Sequence, residues 1–237
     1  MARFLLIHGS CHGAWCWRDV IPALNALGHE AQAIDLPSHG DDPTPATDVT
    51  LDLYANAILD ALENETIVVG HSMAGFPISR AAELDPAKFA RLVYLCAYVP
   101  WPGLGLADQR RKAPYQPLAE AFRVAPDRVT MGFDPDMALE KFYHDCPQSL
   151  EFALQNLCPQ PILPQETPAE LGTNYASVPR SYITCDDDRA IPPEFQREMA
   201  ADIAAADRHS LPSSHSPFFS MPKQLAQLLD QIAQHTP

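Results

Sequence analysis

Short apolar runs alternate along the chain with stretches whose apolar residues recur every three or four positions. Phe4-Leu5-Leu6-Ile7 reads as a strand buried on both faces. Trp15 to Leu27 has helical spacing and stops at Gly28, a residue suited to the left-handed turn that ends helices. Ala31 to Leu36 is a second strand, followed by a polar loop from Pro37. Thr50 is placed as the N-cap of a helix through Glu63 whose apolar side carries Leu51, Tyr54, Ile58 and Leu62. Thr66 to Gly70 is a third strand. Met73 to Leu84 is a helix that tolerates Pro77 near its start. Leu92 to Val99 is a fourth strand.

The alternation then lapses. Fourteen of the 24 prolines lie between Pro100 and Pro193, and only short helical pieces can be traced up to Val178. The pattern resumes with a strand at Arg180 to Cys185, a helix at Pro192 to Ala201 and a strand around Arg208 to Leu211. An amphipathic helix from Ser216 to Gln234 closes it. Strands buried on both faces and alternating with helices predict an α/β protein, a mostly parallel sheet with helices on both faces. The irregular stretch is too long for a loop in a compact domain. It is read as a helical cap, residues 100–178, inserted into a core formed by residues 1–99 and 179–237.

Composition narrows the function. The 237 residues carry 16 Lys and Arg against 30 Asp and Glu, a formal net charge of −14. Such a chain does not bind nucleic acid phosphates or an anionic membrane by bulk electrostatics. No apolar run approaches the length of a membrane-spanning helix. The first residues lack the long apolar stretch and cleavage site of a secretory signal, so a cytoplasmic location is expected. The six cysteines sit mostly in strands or apolar stretches and are expected to be buried free thiols. Cys11-His12 with Cys16 lacks the second paired cluster of a structural metal site. No metal or cofactor is expected.

The strongest chemical signal is Gly70-His71-Ser72-Met73-Ala74-Gly75, between a β-branched strand and a helix. A serine there sits on a sharp turn with its hydroxyl above the sheet edge. The usual pattern is Gly-x-Ser-x-Gly; here Ala74 takes the last place and a glycine follows one residue later. A serine needs a base near neutral pH. His215 is favoured among nine histidines because it lies between the last strand and the last helix. His71 is expected to point away from its neighbour Ser72, and His29 and His39 to lie on the surface. Asp186-Asp187-Asp188 follows a strand and supplies three candidates for the carboxylate that orients the base, between which spacing does not choose. The loop His8-Gly9-Ser10-Cys11-His12-Gly13 can offer a backbone N–H beside the one after the nucleophile, so the Ser10 and Met73 amides form the expected oxyanion hole. Serine, acid and histidine follow one another in the chain order of the α/β-hydrolase fold.

These residues resemble one family of that fold: plant hydroxynitrile lyases, plant methylesterases such as the salicylate-binding esterase, and their bacterial relatives. The resemblance rests on residues 8–17 (HGSCHGAWCW), 70–75 (GHSMAG) and 191–197 (IPPEFQR). It covers nearly the whole chain and is weakest in the proposed cap. It implies that Asp188 is the acid and His215 the base, and that dimers are common. The lyases carry Thr directly after the first-strand histidine and Lys directly after the catalytic one; this chain has Gly9 and Ser216 there. Both departures favour an esterase over a lyase.

The resulting expectation is a serine carboxylesterase with Ser72, His215 and Asp188 as its triad. Trp15, Trp17, Trp101, Tyr115, Phe122, Phe133, Phe142 and Tyr143 are available to line an apolar pocket. The acidic surface disfavours anionic substrates by field alone, so a neutral, largely apolar ester is expected. Three readings compete: a lyase, another α/β-hydrolase enzyme such as a C–C hydrolase or cofactor-free haloperoxidase, and a non-catalytic small-molecule receptor on the same fold.

Overall fold

The computed structural model describes residues 1–63 and 65–236. Its centre is a six-stranded parallel sheet. The strands are β1 (Arg3–Ile7), β2 (Glu30–Ile34), β3 (Thr66–His71), β4 (Phe89–Leu95) and, after a long intervening segment, β8 (Arg180–Cys185) and β9 (Arg208–Leu211), in the order β2-β1-β3-β4-β8-β9. Successive side chains face opposite sides of a strand, so each strand serves two cores. Leu5 and Ile7 of β1 join Leu92 and Tyr94 of β4 in one hydrophobic cluster; Phe4 and Leu6 join Val93 and Leu95 in the other. Helices α2 (Leu51–Asp60), α3 (Gly75–Leu84) and α9 (Pro193–Met199) cover the first face. Helices α1 (Val20–Ala26) and α11 (Pro222–Gln234) cover the second.

The chain runs from β1 to β2 on one side, then crosses to β3 on the other. A crevice therefore opens beyond the carboxyl ends of β1 and β3, where such sheets bind ligands. The loops after β1, β3, β8 and β9 all reach this edge.

Residues 100–178 differ from the all-helical expectation. They hold the short helices α4 (Leu106–Arg110), α5 (Pro135–Phe142), α6 (Leu150–Asn156), α7 (Leu163–Glu166) and α8 (Thr173–Ser177). They also hold a separate antiparallel sheet, β5 (Phe122–Val124), β6 (Thr130–Phe133) and β7 (Gln160–Pro161). Strands of two to four residues are too short for a period of two to stand out. Pro161 is accommodated because β7 is an edge strand.

Three element boundaries also differ. The first predicted helix is a 3₁₀ turn (Ala14–Trp17) followed by α1; Gly28, at φ +87°, lies just past its end. Strand β4 stops at Leu95 because Cys96 takes φ +37°. The last helix is two helices, α10 (Pro217–Ser220) and α11, broken at Met221. Pro222 bars the helical conformation at the residue before it, and Met221 has φ −146°, ψ 55°.

All six cysteines are free; five are buried and Cys158 is half-buried. His39 is buried rather than exposed, within 3.0 Å of Gln160. The His29 ring is also covered: it accepts from the Ala2 amide and pairs with Asp230 at 3.0 Å. Among the described residues, no helix is long and apolar enough to cross a membrane.

Candidate active site

Strand β3 delivers Ser72 to the crevice. The chain turns so sharply there that Ser72 adopts φ +55°, a left-handed conformation that a non-glycine residue takes at a cost. A 3₁₀ turn (Ser72–Ala74) then leads into α3. The turn is tied to the segment after β4 by the Tyr98 amide, which donates to the Ser72 carbonyl at 3.0 Å. A side chain at position 75 would lie 2.0 Å from the Tyr98 carbonyl oxygen, so only glycine fits. The close approach that the usual motif accommodates one residue earlier is met here by Gly75, which leaves Ala74 room for its methyl.

The loop after β9 brings His215 to the same place. Its Nδ1 lies 2.7 Å from Oδ2 of Asp188, with both side chains almost wholly buried. Asp188 also accepts from Gln196 at 2.8 Å and from the Ala190 and Ile191 amides at 2.7 and 2.9 Å. Four hydrogen-bond donors, rather than an ion pair with Lys or Arg, thus satisfy the carboxylate among the described residues. The other two aspartates lie outside this arrangement: Asp186 pairs with Arg197 at 2.5 Å and Asp187 with His144 at 3.0 Å, both towards solvent. With Nδ1–H donated to Asp188, the remaining ring nitrogen of a neutral His215 is an acceptor. Asp145 shapes the loop by accepting from the Ser214 amide at 2.8 Å.

His71 does not point away. Its ring packs against that of His215 at a centroid distance of 4.6 Å, and Nε2–H donates to the His215 carbonyl at 2.8 Å. Burial pushes its pKa far down, so it stays neutral. His12 is a second buried imidazole, lowered by burial to about 4. Its Nδ1–H donates to the Ser10 carbonyl and its Nε2 accepts from the Tyr143 hydroxyl, each at 2.8 Å. Gln165 donates to the Ser10 hydroxyl at 2.9 Å, so residues from 100–178 brace the loop after β1. Nothing in the local sequence marked His71 or His12 for these roles, because their partners lie 131 and 144 residues away or on the nearby backbone.

One small cavity, with room for about 30 Å³, gathers these groups. Ser10, His71, Ser72, Met73 and His215 line it from the core. From residues 100–178 it receives Arg110, Leu118, Phe122, Met131, Phe133 and Phe142 among others. Of the aromatic residues offered by the sequence, Phe122, Phe133 and Phe142 reach it. Trp101 packs on Phe195, Trp17 is buried against Phe218, and Tyr115 is exposed. Such an arrangement offers a hydroxyl on a strained turn, an imidazole held in one tautomer, and backbone amides at the start of a helical turn.

Among the described residues, His71, Cys96 and His215 bring their potential ligand atoms within 4.8 Å of one another. His71 Nε2 and the Cys96 thiol are engaged with the His215 carbonyl and His215 Nδ1 with Asp188, while His71 Nδ1 is buried without a hydrogen-bond partner among the described residues.

Residues 4–228 match the model of the family described as "Alpha/beta hydrolase family". Methylesterase 7 of Arabidopsis thaliana is 31% identical over 98% of this chain and 96% of its own length. The crystal structure of a pyrethroid hydrolase from Sphingobium faniae JZ-2 superposes with a TM-score of 0.84 at 27% identity, covering 98% of this chain and 97% of that one. That of polyneuridine aldehyde esterase gives 0.87 at 25% identity, covering 98% and 99%.

Proposed function

The chain belongs to the alpha/beta hydrolase family, and from that premise we propose that it is a serine carboxylesterase working through Ser72, His215 and Asp188. Its relatives include proteins named as esterases and methylesterases, which supports hydrolysis of carboxylic esters. The observation that carries the mechanism is the 2.7 Å contact of Asp188 with His215, a residue that lines the same cavity as the strained Ser72.

In this mechanism Ser72 Oγ attacks the ester carbonyl and His215 takes its proton. Asp188 holds the imidazole in the required tautomer and stabilises its cation. The Ser10 and Met73 amides receive the oxyanion. His215 returns the proton to the leaving alcohol, and water then releases the acyl group by the same route in reverse. His71 is a positioning residue: it ties the His215 backbone to the turn that carries Ser72. Residues 100–178 act as the cap that closes the cavity, and its largely apolar wall suits the apolar part of an ester.

Gly9 disfavours the lyase alternative. A side chain there would lie 2.6 Å from His71 Nδ1 and 3.0 Å from Ser72 Cβ, so the threonine of the lyases has no room beside His71. Ser216, in the place of their lysine, is buried and carries no cation.

The test is steady-state hydrolysis of p-nitrophenyl and methyl esters by the native protein and Ser72→Ala, with mandelonitrile as an added substrate. Multiple turnovers are expected, cut by at least about three orders of magnitude in the variant. Near-normal turnover by Ser72→Ala, or cyanide release in place of ester hydrolysis, would overturn the proposal.

A further inference from the structure

Arg110, the last residue of α4, lines the cavity that holds Ser72 and His215. Its guanidinium carbon lies 3.9 Å above the Phe122 ring. Its Nε is buried without a hydrogen-bond partner. Its neighbour Asp108 pairs with Arg111 instead, at 2.5 Å. The groups that act on the Arg110 charge are Tyr98 and Arg111, with no carboxylate among them, and burial pulls its pKa down. Several other arginines pair with acids, Arg80 with Asp52, Arg91 with Asp207 and Arg197 with Asp186, but those lie outside the cavity. In a chain with 30 acidic residues against 16 basic ones, an unpaired cation is not explained by a shortage of acids.

A half-buried cation without a counter-charge is costly, and stacking on the Phe122 ring offsets only part of that cost, so folding alone gives little reason to keep it. Its position in the cavity supplies one. We propose that Arg110 binds a carboxylate carried by the substrate, so that the preferred substrates are half-esters of dicarboxylic acids. The proposal rests on the serine carboxylesterase reading and replaces the wholly neutral substrate that the acidic composition suggested. A guanidinium offers a carboxylate two parallel N–H groups, and Tyr98 lines the same wall. Leu106, Leu118, Met131 and Phe133 provide an apolar surface for the methylenes between the two carboxyl groups. The reaction balances as half-ester and water giving alcohol, dicarboxylate and one proton. The net charge of −14 repels such a substrate at long range, and Arg110 reverses that field inside the cavity, where screening is weak.

The test follows hydrolysis of monomethyl glutarate, adipate and pimelate by base uptake at constant pH, each beside its dimethyl ester, for the native protein, Arg110→Gln and Arg110→Met. The native protein is expected to prefer its best half-ester over the matching diester by about tenfold or more in kcat/KM, as a charge-assisted contact would give. Both variants are expected to lose that preference, mainly through KM. Because the charge is unpaired, Arg110→Met is expected to melt no lower than the native protein, which separates lost recognition from lost folding. Equal rates on half-esters and diesters, or a preference that survives in either variant, would overturn the proposal. A second arm measures adipate binding to Ser72→Ala by calorimetry, with and without Arg110→Gln and with sulfate as control. Adipate binding that needs Arg110, without turnover of any ester, would uphold the carboxylate site and defeat the esterase reading. Diester turnover without adipate binding, or equal binding of sulfate, would defeat the carboxylate site and leave the esterase reading intact.

Discussion

Residues 1–99 and 179–236 form the parallel sheet and its helices, whereas residues 100–178 form short helices and a small antiparallel sheet, and the two regions face each other across one cavity. The core side carries Ser72 on its strained turn and the buried imidazoles His12, His71 and His215, each imidazole held by hydrogen bonds to carbonyls, a carboxylate or a phenol. The opposite side carries apolar side chains, the Gln165 amide and, among the described residues, an unpaired guanidinium. Reacting groups must be held in one geometry, and loops at the edge of a rigid sheet can do that. Recognition asks less of the backbone, so an irregular segment with many prolines serves. The two regions are not independent: Tyr143 and Gln165 reach from one to brace the loop after β1 in the other.

If the chemistry belongs to the core, the largest effect comes from breaking the buried hydrogen bond there. Asp188→Asn leaves the shape but offers His215 an amide in place of a carboxylate. The rate constant is expected to fall by roughly 10³–10⁴ with little change in KM. A loss below about tenfold, read by steady-state kinetics, would show that the contact does not orient the base.

Stability in mild acid should also be a property of the core. His8, His12, His39 and His71 all have pKa values lowered chiefly by burial. A group whose folded pKa is lowered stabilises the fold above its unfolded value, and that contribution is lost as pH falls towards the folded value. For His12 the window runs from 6.5 down to about 4. Its share is on the order of 3 kcal/mol. Urea midpoints are therefore expected to drop steadily between pH 6.5 and 4, before most carboxylates titrate. A midpoint flat over that range would mean that these imidazoles are not held neutral.

The smallest effects are expected from the apolar wall. Leu118→Ala removes cavity lining from residues 100–178 without touching Ser72, His215 or Asp188. It should re-rank ester chain lengths by roughly tenfold, mostly in KM, since a few methylenes in a pocket are worth about 1–3 kcal/mol. A thousandfold fall in kcat on every ester would place that region in the chemistry and end the division of labour.

Regular parts of the fold were legible in the chain because their signals are local. Strands Arg180–Cys185 and Arg208–Leu211 coincide with their predicted spans. Thr50 caps α2 through the Leu53 amide as its position implied. Gly70-His71-Ser72 at the end of a β-branched strand announced a sharp turn, and φ +55° at Ser72 is that turn. Periodicity, capping and turn chemistry act over a few residues, so a single sequence contains them. The break at Met221 has the same local origin, since Pro222 disfavours the helical conformation at the residue before it.

The site was legible in type and order, less so in its contacts. Spacing left Asp186, Asp187 and Asp188 equal, and resemblance to relatives pointed to Asp188. Only the folded chain brings Gln196 and the Ala190 and Ile191 amides around that carboxylate and turns the other two aspartates to solvent. His71 was expected to face away, yet its hydrogen bond spans 144 residues to reach the His215 carbonyl. Arg110 looked like one more charged residue on a short helix until the structure put it against Phe122 and left it without an acid. Residue types and their short-range pattern are sufficient for a strand, a turn or a cap. Whether a charge is paired, an imidazole buried or a carboxylate satisfied depends on neighbours supplied by distant parts of the chain, and packing alone decides which neighbours those are.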